Sequence, residues 1–176
     1  MESRTYPQGG LLLPQQLSAS DRPKPFHFLT CETHMRDNLI AQASTTVNAP
    51  VNKVWDALTN PDMIQRYMFG TRVKSDWNVG SPITWSGEWQ GKKYEDKGVI
   101  KQMKPEHLMQ YTHFSPLTGL PDKPENYHTV TIELTPEGER TQVALSQDNN
   151  ATEKAREHST KNWEMMLTSL RQVLER

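Results

Sequence analysis

The sequence predicts an α+β domain in which one curved antiparallel sheet of about seven strands wraps around a long C-terminal helix. Three observations predict it. Seven short segments rich in β-branched and aromatic residues recur between turn-forming residues. Two short helix signals stand between the first of these segments and the second. One apolar stripe with helical spacing closes the chain. The order is strand, two short helices, six strands, long helix.

The lead over 1–37 has a different texture from the rest. Pro7, Gly9, Gly10, Pro14, Pro23 and Pro25 punctuate it, with Gln15, Gln16, Ser18 and Ser20 between them. Proline fixes φ and removes a donor, so the lead reads as a disordered or loosely packed tail ahead of a domain over 38–176. Met35 stands just before the first patterned segment. A strand over 39–47 carries Ile40, Thr45, Thr46 and Val47. Pro50 then opens a helix over 51–59, with Val51, Val54, Trp55 and Leu58 on one stripe. Asn60 caps a second helix that has Pro61 in its first position and Met63, Ile64, Tyr67 and Met68 on its apolar face; Gly70 ends it.

Strands follow over 71–77, 82–89, 93–103, 107–114, 127–135 and 140–148. Asn78-Val79-Gly80, Gln90-Gly91-Lys92 and Pro136-Glu137-Gly138 supply turns between them. Ile83, Trp85, Gly87 and Trp89 share one strand face, and His128, Val130, Ile132 and Leu134 share another. Ser115 to Asn126, with Pro116, Gly119, Pro121 and Pro124, is a loop long enough to serve as a lid or rim. The final helix covers 152–175, and Trp163, Met166, Leu167, Leu170, Val173 and Leu174 form its stripe.

Composition narrows the function. Of 176 residues, 34% are hydrophobic, and the nine glycines raise the count to about 39%, below the ~45–50% of ordinary domains. The tail dilutes it, and the interior of the remaining domain depends on a few large aromatics. A net charge of −1 gives no field for gripping nucleic acid. No run approaches the ~18 apolar residues of a membrane span. Leu11-Leu12-Leu13, followed at once by Pro14, is too short for a secretory signal. One cysteine, Cys31, excludes an internal disulfide framework, and a reducing cytoplasmic location is expected.

Four stretches, in order, resemble a known family. They are Val47-Asn48-Ala49-Pro50-Val51-Asn52-Lys53-Val54-Trp55-Asp56-Ala57-Leu58-Thr59, then Asn60-Pro61-Asp62-Met63-Ile64-Gln65-Arg66-Tyr67. The third pairs Tyr94-Glu95-Asp96-Lys97-Gly98-Val99-Ile100 with Pro105-Glu106-His107-Leu108-Met109-Gln110-Tyr111, and the last is Asn162-Trp163-Glu164-Met165-Met166-Leu167-Thr168-Ser169-Leu170. Over about 39–175 the chain resembles the family homologous to the activator of the heat-shock-protein-90 ATPase. That family lies within the helix-grip superfamily of START and birch-pollen-allergen domains, also called SRPBCC. The resemblance implies the helix-grip fold. For function it implies a ligand binder, a co-chaperone module of the stress response that stimulates a chaperone ATPase, or a cyclase or dehydratase.

A sheet wrapped around a helix encloses a cavity. Its expected walls are Trp55, Tyr67, Trp77, Trp85, Trp89, Tyr111, Phe114, Trp163, Met166 and Leu170, the apolar and aromatic lining of a small-molecule pocket. The expected ligand is a small hydrophobic or aromatic molecule, bound without covalent chemistry by a monomer that needs no cofactor. A void above ~300 Å³ between Trp163 and the sheet favours that reading, and a packed interior favours protein interaction. The six histidines show no metal-ligand spacing, so no metal is expected. His113 and His128 flank the proline-rich loop and are read as rim histidines. Catalysis would need one of them as a general base, with Tyr111 or Tyr67 as partner. Glu88, Glu95 and Asp96 read as solvated strand charges, and Lys92, Lys93, Lys97, Lys101 and Lys104 as a soluble face.

Overall fold

Alternation along the chain becomes a single sheet. The computed structural model describes residues 38–89 and 91–176. In it β1 (Leu39–Val47) leads through α1 (Val51–Thr59) and α2 (Pro61–Tyr67) to β2 (Arg72–Ser75), β3 (Pro82–Trp89) and β4 (Lys92–Lys104). Then come β5 (Leu108–His113), β6 (His128–Glu137), β7 (Arg140–Asn150) and α3 (Glu153–Leu174). The sheet order is β1-β7-β6-β5-β4-β3-β2, antiparallel throughout. Strands β2 to β7 form a meander, while α1 and α2 carry the chain from β1 at one edge to β2 at the other. This is the helix-grip arrangement. The lead over 1–37, with Cys31 and Met35, lies outside the described residues. Among the described residues, no helix is long and apolar enough to cross a membrane.

Local chemistry explains the helix ends. The Asn60 side-chain oxygen accepts from the amides of Asp62 at 3.0 Å and Met63 at 3.4 Å, and Pro61 occupies the first turn of α2. Thr152 Oγ1 accepts from the Ala155 amide at 3.1 Å to start α3. From there α3 buries only Met166, Leu167 and Leu170, all in its C-terminal half. These join Val54, Ala57 and Leu58 of α1, Ile64 and Tyr67 of α2 and the inward residues of the sheet in one core. Against β1 the helix meets Ala41 and Ala43, whose single methyl groups let it lie close.

Two strands differ from expectation at their ends. β2 stops at Ser75 rather than at residue 77. Ser75 Oγ donates to the Pro82 carbonyl at 3.0 Å and accepts the Trp77 amide at 3.1 Å, and Trp77 takes a left-handed φ of 58°. That side-chain turn replaces the ladder. β7 continues to Asn150, held by the Asn150 amide group donating to the Leu39 carbonyl at 2.8 Å.

Gly98 marks the tightest backbone approach. A Cβ there would sit 1.6 Å from the Thr112 carbonyl oxygen, so only glycine allows β4 to lie against β5 at this point. The Val99 amide donates to Thr112 Oγ1 at 2.9 Å beside it. Gly98→Ala is expected to destabilise the domain by about 3 kcal/mol, because backbone rather than a movable side chain blocks the methyl. Urea unfolding measures it; an unchanged midpoint would show that the strands stand further apart.

Candidate functional site

A cavity lies between the sheet, the α1–α2 pair and α3. Of the ten residues expected to line it, Tyr67, Trp77, Trp85, Tyr111, Trp163 and Met166 do. Leu58, Ile64 and Met68 from the helical pair and Ile83, Met109 and Ile132 from the sheet complete the wall. These six are the apolar positions of their own segments, and nothing in the sequence separates cavity wall from plain core. The cavity is about 20 Å³, room for about one water, far below the ~300 Å³ of a ligand site. The aromatic side chains fill the interior in this state.

Three expected wall residues fall elsewhere, and a fourth lies outside the described residues. Trp55 is half-buried against the core from α1, and Leu170 is fully buried in the core, but neither reaches the cavity. Phe114 follows His113 at the end of β5, and strand alternation turns it to the other face. There it stacks on Tyr127, with ring centroids 5.1 Å apart, and its backbone pairs with Lys97. The side chain of Trp89 lies outside the described residues.

Polar groups divide this interior into two ends. At one end Trp163 Nε1 donates to Gln147 Oε1 at 2.8 Å, and Gln147 Nε2 donates to Asn150 Oδ1 and to Ser159 Oγ, each at 3.2 Å. Ser159 Oγ donates in turn to Asn150 Oδ1 at 3.0 Å, so the first half of α3 is joined to β7 through side chains. At the cavity, Tyr67 and Tyr111 are buried residues, but neither hydroxyl is a buried polar atom left without a partner; among the described residues those atoms are Asp96 Oδ1 and Thr160 Oγ1. Burial, reinforced for Tyr67 by nearby Tyr111, pushes both phenols well above their ordinary range, so both remain neutral O–H donors. Tyr111 also packs against Trp85, with centroids 5.0 Å apart.

Asp96 corrects the sequence reading. It is not a solvated strand charge: its side chain is 15% exposed, and Oδ2 lies 3.1 Å from His113 Nε2. Its other oxygen, Oδ1, is buried without a partner. His113 and His128 do approach each other, directly opposite on β5 and β6, with centroids 6.4 Å apart and rings inclined by 24°. His128 Nδ1 lies 2.8 Å from the Asp148 carbonyl. The signal for Asp96 was present in the sequence. It shares strand parity with Gly98 and Ile100, both buried. Glu88 and Glu95 are exposed, as expected. Among the described residues, no group of three His, Cys, Asp or Glu side chains is placed to hold a metal ion.

The proline-rich loop is anchored rather than free. Asp122 accepts from Lys97 Nζ and from Tyr127 Oη, the latter at 2.7 Å, and Asn149 Nδ2 donates to the carbonyls of Glu125 and Tyr127 at 2.8 and 2.9 Å. The Lys97 ammonium, then the Tyr127 hydroxyl, hold the Asp122 carboxyl below its usual range, and the bond to Asp122 raises both partners.

Residues 48–175 match the sequence profile of the family described as activator of Hsp90 ATPase homolog 1-like protein. The solution structure of ChR145 from Cytophaga hutchinsonii is 58% identical, with a TM-score of 0.69, over 78% of this chain and 94% of that one. Protein MLL2253 from Mesorhizobium loti is 21% identical at a TM-score of 0.63, over 77% of this chain and 96% of that one. The Aha1 dimer from Colwellia psychrerythraea is 19% identical at a TM-score of 0.60, over 77% and 96% respectively. These last two share the fold. A search of curated proteins found no match. By the profile match and the likeness to ChR145, the chain belongs to the activator of Hsp90 ATPase homolog 1-like family.

Proposed function

We propose that the domain binds a small aromatic molecule, without covalent chemistry, between α3 and the sheet. One observation carries this reading. Two neutral phenol groups, Tyr67 and Tyr111, stand at one cavity walled by Trp77, Trp85 and Trp163, the apolar and aromatic lining with a few polar tips that small-molecule sites have. The free state is closed at about 20 Å³, so binding requires the wall to move. Met68, Met109 and Met166 all line it, and methionine is the apolar side chain that changes rotamer most readily. A carbonyl or ether oxygen on the ligand would then accept from the phenols.

The closed interior also favours a second reading, in which the domain docks on a chaperone and stimulates its ATPase, as the family's description says of its namesake. An ATPase assay with the host's own chaperone separates the two. No stimulation at saturating domain would remove the second.

Titration with a panel of aromatic ketones, flavonoid-like compounds, sterols and lipids is expected to shift the NMR signals of Trp85, Trp163 and Tyr111 for at least one aromatic class. Ligands that leave all three unmoved would overturn the binding reading. Tyr67→Phe and Tyr111→Phe provide an independent check. Removal of either hydroxyl is expected to leave stability within about 0.5 kcal/mol of wild type or raise it, while affinity for a carbonyl-bearing ligand falls about 5- to 10-fold. A stability loss above about 1 kcal/mol would mean that the hydroxyls already serve the fold.

A further inference from the structure

The cavity does not use the Asp96–His113–His128 group, and that group has its own hydrogen-bond logic. A carboxylate oxygen accepts, so His113 Nε2 donates in its 3.1 Å contact with Asp96 Oδ2. A backbone carbonyl also accepts, so His128 Nδ1 donates to the Asp148 carbonyl at 2.8 Å. Asp96 Oδ1 is buried with no donor. Two facing strand pairs bring this group together: Trp85 opposite Asp96, and His113 opposite His128.

Trp85 connects this group to the cavity. One face of its environment is the cavity wall, where it packs on Tyr111 at 5.0 Å. It also meets the His113 ring edge-on, with centroids 5.2 Å apart. We propose that Asp96 Oδ1, with its carboxylate oriented by His113, is the acceptor for the hydroxyl of an aromatic alcohol whose ring packs on Trp85. This rests on the aromatic-binding reading above and names the ligand's second functional group. A buried acceptor without a donor, Asp96 Oδ1, calls for a ligand that donates. An ammonium would also donate, but it would be desolvated beside a carboxylate already engaged by His113 and walls that are otherwise neutral and aromatic. A neutral hydroxyl avoids that cost. The ligand class is thus an aromatic ring system with a phenol-type hydroxyl at one end.

Isothermal titration of the full chain with 2-naphthol, 2-methoxynaphthalene, naphthalene and 2-naphthylmethylammonium tests this. Wild type is expected to bind 2-naphthol about 10-fold more tightly than 2-methoxynaphthalene, the span of one hydrogen bond to a charged acceptor. The double variant Asp96→Leu with His113→Phe replaces both partners by apolar groups of similar shape, a change that costs little stability. It is expected to lose the hydroxyl preference and keep its affinity for naphthalene. The wild-type comparison stands even where that variant does not fold. Equal binding of 2-naphthol and 2-methoxynaphthalene by wild type, or tighter binding of the ammonium, overturns the subsite and leaves the aromatic-binding reading intact. Binding of none of the four overturns both.

Discussion

The interior of this domain depends on how α3 is held against the sheet. A helix of 22 residues spans about 33 Å, but only its C-terminal half buries apolar side chains. Met166, Leu167 and Leu170 anchor that half by the hydrophobic effect. The other half is held by the bonds among Trp163, Gln147, Asn150 and Ser159. Apolar contact is non-directional and allows sliding, whereas the side-chain bonds fix rotation and register. Together they place α3 close to β1 and β7, where Ala41 and Ala43 permit it, and leave the space in front of β3 to β5 for side chains from the sheet. Trp85, Tyr111 and Trp163 converge there.

That division explains why a chain poor in aliphatic residues still closes its core. Each Trp or Tyr buries an area that would take two smaller side chains, so a few aromatics compensate for a low apolar fraction. The consequence is a polar atom on most of the large groups. Trp163 has its partner in Gln147, while the phenols of Tyr67 and Tyr111 stand at the cavity, beside methionines that give its wall room to change.

The fold was legible because its signals are local. The Asn60 cap, Pro61, the Thr152 start and the alternation in β3 and β6 each follow from a few adjacent residues. Four motifs in order carried the resemblance that the family profile then matched over 48–175. The site was less legible because its membership is decided across strands. Phe114 and His113 are neighbours in sequence but lie on opposite faces, and the end of β5 gives no alternating run long enough to show it. Trp55 and Leu170 lie on apolar stripes as expected, but a stripe does not say which of its members meets a void. Asp96 was misread because charge type was weighed above parity: its neighbours two and four positions on, Gly98 and Ile100, are both buried. The volume of the cavity is a property of packing among distant segments and has no sequence signature at all.

Parity also explains how the polar group beside Trp85 is held in place. Its residues come from β3, β4, β5 and β6, at positions directly opposite one another, and not from the loop that follows His113. Strands hold such groups more firmly than loops do. Gly98, two residues beyond Asp96, draws β4 against the Thr112 backbone, and His113 is the next residue along β5. The close approach that only glycine permits therefore stands one residue from His113 and two from Asp96. The close contact at Gly98 thus lies beside the Asp96–His113 pair, so the packing that secures the sheet and the polar group near Trp85 share one stretch of β4 and β5.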